Sequence, residues 1–91
     1  MRGEIFVVSA LKNDGCEPRL GLAVAKRIVP HAVDRNYFKR QIRAVYHPAS
    51  SRLCGFDIVV RLRSAYPKTA ARGAREELAG LFRAVERCRE S

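Results

Sequence analysis

Apolar residues fall along this chain in clusters whose internal spacing predicts five elements. Ile5 to Leu11 is a compact apolar run with β-branched members, and it ends on the turn signal Lys12-Asn13-Asp14-Gly15. From Arg19 to Ala25 the residues Leu20, Leu22 and Val24 recur at every second position, which predicts a second strand with the first as its candidate hairpin partner. Pro30 disfavours helix at Val29, so a helix is predicted just after it, over His31 to His47. There Phe38, Ile42, Val45 and Tyr46 share one face at 3.6-residue spacing, and Pro48 is the predicted stop before a loop at Ala49-Ser50-Ser51. Phe56 to Leu62 reads as a third strand, and its centre, Ile58-Val59-Val60, suits burial on both faces or nearly so. After the loop Ser64-Ala65-Tyr66-Pro67-Lys68, Thr69 is a candidate cap for a last helix near Ala70 to Arg87. Its apolar stripe is Ala74, Leu78, Leu81, Phe82 and Val85. Gly73 and Gly80 each weaken that helix by ~1 kcal/mol relative to Ala, which packing has to offset. The order β-β-α-β-α predicts an α+β or split βαβ fold in a single domain over residues 1–91, without repeats or low-complexity tracts.

Composition changes this picture mainly through charge. With 47% hydrophobic residues in 91 the chain can bury a modest core, but 18 Lys and Arg against 9 acids leave a formal charge of +9. An excess that large in so short a chain attracts polyanions: nucleic acid, an acidic protein or an anionic membrane surface. No run of 18 apolar residues is present to span a membrane, and the start lacks the apolar core of a secretory signal, so the expected location is the cytoplasm. Cys16, Cys54 and Cys88 form no CxxC pair. With His31 and His47 they show none of the usual zinc spacings, so they are expected to be structural.

The position of the charge narrows the function. Between Lys26 and Arg43 there are six basic residues and one acid, Asp34, whereas from Arg72 to Glu90 five arginines are balanced by four glutamates. In the first helix Arg35, Lys39 and Arg43 repeat at i, i+4, i+8, flanked by Asn36 and Arg40. Like charges at that spacing repel by ~0.2–0.5 kcal/mol per pair. An anionic partner removes that cost, and backbone phosphates suit the donors that Arg and Lys provide. Asn36 adds an amide for a phosphate, a 2′-hydroxyl or a base edge. The plainer alternative is a solvated face that is basic without a ligand. Of the aromatic residues, Phe38, Phe56 and Phe82 are expected in the core, while Phe6 and Tyr37 are candidates to stack on a base. There is no Gly-rich phosphate loop, GxSxG, HExxH or telling pair of carboxylates, and no catalytic residue is assigned.

Three segments resemble a known family. Arg19-Leu-Gly-Leu-Ala-Val-Ala-Lys-Arg27, Ala32-Val-Asp-Arg-Asn-Tyr-Phe-Lys-Arg-Gln-Ile-Arg43 and Phe56-Asp-Ile-Val-Val-Arg61 are similar, in order, to the bacterial ribonuclease P protein subunit. The resemblance covers roughly residues 4 to 87. It implies a β-β-α-β-α sandwich with a left-handed βαβ crossover, ribosomal protein S5 domain 2-like. It also implies a partner, a catalytic RNA that uses Mg2+ to remove the 5′ leader from precursor tRNA, with no cofactor bound tightly to this chain. Lys26, Arg27, Arg35, Asn36, Tyr37, Lys39, Arg40 and Arg43 become the RNA-binding set. Phe6 and Val8 become candidates for a cleft that takes the leader. Two departures stand out. Tyr37 occupies the place of the motif's second arginine. The chain also opens almost directly on its first strand, where family members usually carry another basic helix, so a smaller leader-binding wall and an exposed apolar sheet are expected. The same residues also suit a ribosomal-type RNA-binding protein with no part in cleavage. A stand-alone hydrolase using His31, His47 or a cysteine, or a helix-turn-helix, suits them less well.

Overall fold

The computed structural model describes all residues except 14, 16–18 and 91, with side chains described through residue 87. The elements are β1 (Phe6–Lys12), β2 (Arg19–Ala23), α1 (Ala32–Ala49), β3 (Phe56–Leu62) and α2 (Ala71–Glu90), with short 3-10 turns at Ser50–Leu53 and Lys68–Ala70. This is the expected β-β-α-β-α order and an α+β fold.

β1 and β2 are not a hairpin. The sheet order is β1-β3-β2, with β3 antiparallel to β1 and parallel to β2. Parallel strands need a crossover, and α1 supplies it between β2 and β3. The turn residue Asp14 and the cysteine Cys16 lie outside the described residues.

β3 is not buried on both faces either. Phe56, Ile58, Val60 and Leu62 are buried, whereas Val59 is 41% exposed and Arg61 is exposed. Both helices lie on one side, so burial along β3 follows strand parity. The covered side holds Phe6 and Val8 of β1 beside those β3 residues, packed with Phe38, Ile42 and Tyr46 of α1 and Ala74, Leu78, Phe82 and Val85 of α2. The uncovered side carries Val7, Ser9 and Leu11, in register with Arg61, Val59 and Asp57.

Pro48 does not end α1. The helix runs to Ala49, because a proline in the last turn forfeits a single backbone hydrogen bond. The backbone N–H and the hydroxyl of Ser50 then both donate to the His47 carbonyl, which caps the end. Thr69 lies within the 3-10 turn that leads straight into α2.

The start of the chain is tied down twice. Met1 and Val8 exchange backbone hydrogen bonds, so residues 1–3 fold back along β1. Glu77 of α2 then accepts the backbone N–H groups of Glu4, Ile5 and Phe6, each at 2.9 Å.

Candidate nucleic-acid interface

The helix period places Arg35, Lys39, Arg43, Asn36 and Arg40, in that angular order, on an arc of about 140°. Asp34 falls on the other flank of α1, so the arc carries no acid. Asn36, Arg40 and Arg43 are exposed, and Lys39 is half-buried against the sheet. Because β2 is an edge strand, α1 and β2 enclose a depression of about 430 Å³ floored by Leu20, Leu22 and Tyr46 and rimmed by Lys39, Arg43 and His47. A second depression, of about 400 Å³, joins Lys39 to Arg27 and Arg61 along the end of β2. Arg27 and Lys26 stand exposed in a turn closed by the N–H groups of Ile28 and Val29, both donating to the Ala25 carbonyl. On the outer crest Val33 shares a shallow hollow with Asn36, Arg40 and Arg43.

Five of the sequence-predicted residues are thus brought together, Arg27, Asn36, Lys39, Arg40 and Arg43, and Lys26 stands exposed next to Arg27. Arg35 is different, since its guanidinium donates to the carbonyls of Val29 at 3.1 Å and Pro30 at 2.9 Å. It holds the turn that aims Arg27, and only part of its donor fork remains for a ligand.

Tyr37 does not join the arc. It lies some 60° beyond Arg40 and packs edge-on against Phe38, with ring centroids 5.4 Å apart. The Lys68 ammonium sits 5.5 Å from its ring centroid. Tyr37 therefore has one side in the core and the other under a cation, and the role of an open stacking platform is corrected. Phe6 and Val8 are corrected too, at 1% and 0% exposure. Their strand parity turns them under the helices, into the core.

The sequence reading missed two contributors. His47 lies between Asn36 and Arg40 in helical angle, and extending the helical projection by one more turn would have found it. Arg61 joins the basic face only because β3 pairs with β2, a tertiary fact with no local signal.

The family model Ribonuclease P matches residues 1–86. The ribonuclease P protein component of Chromobacterium violaceum is 37% identical over 86 residues, covering 94% of this chain and 71% of that protein. Its counterpart in Ralstonia pickettii is 36% identical, covering 94% of this chain and 66% of that protein. Among solved structures, the Thermotoga maritima RNase P protein in complex with 1-(4-fluorophenyl)-2-thiourea superposes with a TM-score of 0.73 at 31% identity, covering 90% of this chain and 80% of that one. A Staphylococcus aureus RNase P protein mutant with defective mRNA degradation activity superposes at 0.74 and 28% identity, covering 91% and 73%.

Proposed function

This chain belongs to the ribonuclease P protein family, and from that premise we propose that it serves as the RNA-binding protein subunit of ribonuclease P, assisting 5′ maturation of precursor tRNA. The observation that carries the reading is the acid-free arc of α1, where Lys39, Arg40, Arg43 and Asn36 converge with Arg27 and Arg61. Such a surface neutralises successive phosphates and offers Asn36 for a 2′-hydroxyl or base edge.

In this reading the catalytic RNA and its Mg2+ perform the cleavage, and the protein's residues bind and orient. The leader falls to the uncovered sheet face, whose Val7, Leu11 and Val59 offer apolar contact beside Ser9 and Arg61. This replaces Phe6 and Val8 with residues of the opposite parity on the same strand.

The test combines the chain with the catalytic RNA encoded in the same genome and follows precursor-tRNA cleavage at low Mg2+. Wild-type protein is expected to stimulate cleavage. A Lys39→Ala, Arg40→Ala, Arg43→Ala variant is expected to lose about 10-fold or more in RNA affinity, with a salt dependence shallower by about 2 in log–log slope. RNA binding without stimulation would point to a ribosomal-type protein instead.

A further inference from the structure

α2 looks neutral in sequence, but the fold sorts its charges. Glu77 turns toward β1 to hold the chain start, while Arg72, Arg75 and Arg83 turn toward α1. Between the two helices lies a groove of about 350 Å³. Its lining includes the apolar residues Val45, Pro48, Ala79 and Phe82. Arg52 completes the basic lining. Two carboxylates join the rim and both are engaged: Glu86 pairs with Arg52 at 2.7 Å and Glu76 with Arg72 at 3.6 Å. Arg75 makes only a long hydrogen bond, 3.4 Å, to Gln41 of α1. Four arginines and two carboxylates therefore surround an apolar slot.

We propose that this groove is a second RNA site, which takes one unpaired nucleotide of the RNA bound by the basic arc. The base enters the slot against Val45, Pro48 and Ala79, and its phosphates meet Arg75 and Arg83. The inference rests on the RNA-binding reading of α1 and extends it to the helix's other flank. A flat apolar body with an anion beside it is the chemistry of a nucleotide, and apolar contact with a ring face tolerates any base because each has a π-face. The geometry also suits a single strand, since only an extruded base can fill a slot between two helices. The exposed crest of α1, with Val33 and Arg40, separates the two sites by about one helix width, roughly 10 Å. A strand crossing that crest reaches both.

The experiment measures affinity for the catalytic RNA of the same genome, with three variants of the full chain. Arg75→Ala with Arg83→Ala removes the groove's cations, Ala79→Trp fills the slot without changing charge, and Lys39→Ala with Arg43→Ala disables the basic arc. Thermal melting checks that each folds, and Ala79→Cys carrying a photo-crosslinker, with Cys16, Cys54 and Cys88 replaced by Ser, provides an independent readout. The first two variants are each expected to weaken binding by about 10-fold, with only the arginine pair flattening the salt dependence. The crosslinker is expected to label one unpaired nucleotide. Unchanged affinity for Ala79→Trp, or crosslinks only to paired RNA, overturns the proposal even if the arginine pair matters. Unchanged affinity for both groove variants, with loss in the arc variant, overturns the groove site and leaves the RNA-binding reading standing. If the arc variant also binds normally, that underlying reading fails.

Discussion

Two tyrosines show how single residues carry unresolved cost in this fold. Tyr46 and Tyr66 are 5% and 8% exposed, and among the described residues neither hydroxyl has a hydrogen-bond partner. Their rings are well used: Tyr66 packs edge-on to Phe6 and Phe38 at 6.2 and 4.8 Å, and Tyr46 to Phe82 at 6.0 Å. The penalty lies in the desolvated oxygen. Tyr66→Phe and Tyr46→Phe are therefore expected to raise stability by about 1 kcal/mol each, read as a higher denaturation midpoint. Burial also pushes the Tyr66 hydroxyl up to about 12, with the neighbouring Tyr37 raising it further and Arg75 opposing. The folded state thus holds its proton more tightly than the unfolded chain. Stability from this group is complete below pH 10 and is lost as pH rises through 12. Alkaline unfolding over that window should be less steep in Tyr66→Phe. Among the cations, the sequence revealed the charge of Arg35 but not its use, because its acceptors are backbone carbonyls of a turn whose shape no side chain announces.

Elements are joined by a few specific contacts as well as by the core. Glu77 gathers three consecutive N–H groups at the start of β1 into one carboxylate. Hydrogen bonds to a charged acceptor contribute about 1.5–3 kcal/mol, so Glu77→Ala is expected to cost at least about 2 kcal/mol. Amide hydrogen exchange should show the loss first at residues 4–6. Gly3 belongs to the same clamp, because a Cβ there would stand 2.5 Å from the Glu77 carboxyl carbon. A Gly3→Ala change therefore has to displace a carboxylate that is already committed. The stripe of α2 and the apolar face of α1 were legible from periodicity. The clamp was not, since a glutamate seventy residues away in sequence gives no local sign of its partner.

At the scale of the molecule, both helices lie on one side of a three-stranded sheet. Neighbours along β3 therefore differ in consequence. Val60→Ala, on the covered side, is expected to cost about 2 kcal/mol or more, and Val59→Ala on the open side less than about 0.5, as measured by denaturant unfolding. The same one-sidedness leaves Val7, Ser9, Leu11 and Arg61 available as a surface beside the basic arc. It also fixes which charges act together. Arg27, Lys39, Arg43 and Arg61 come from three elements, yet line adjoining depressions.

The sequence by itself determined the number, type and order of the elements, the apolar face of each helix, the acid-free basic arc and the family. These follow from local periodicity and from residue types at fixed spacing, which the chain carries wherever it goes. Only the tertiary structure decided that β3 lies between β1 and β2, that Phe6 and Val8 are core, that Tyr37 leaves the arc and that the arginines of α2 gather against α1. Each of these depends on which face of an element is covered. A two-residue period leaves the two faces of a strand equivalent until helices pack against one of them.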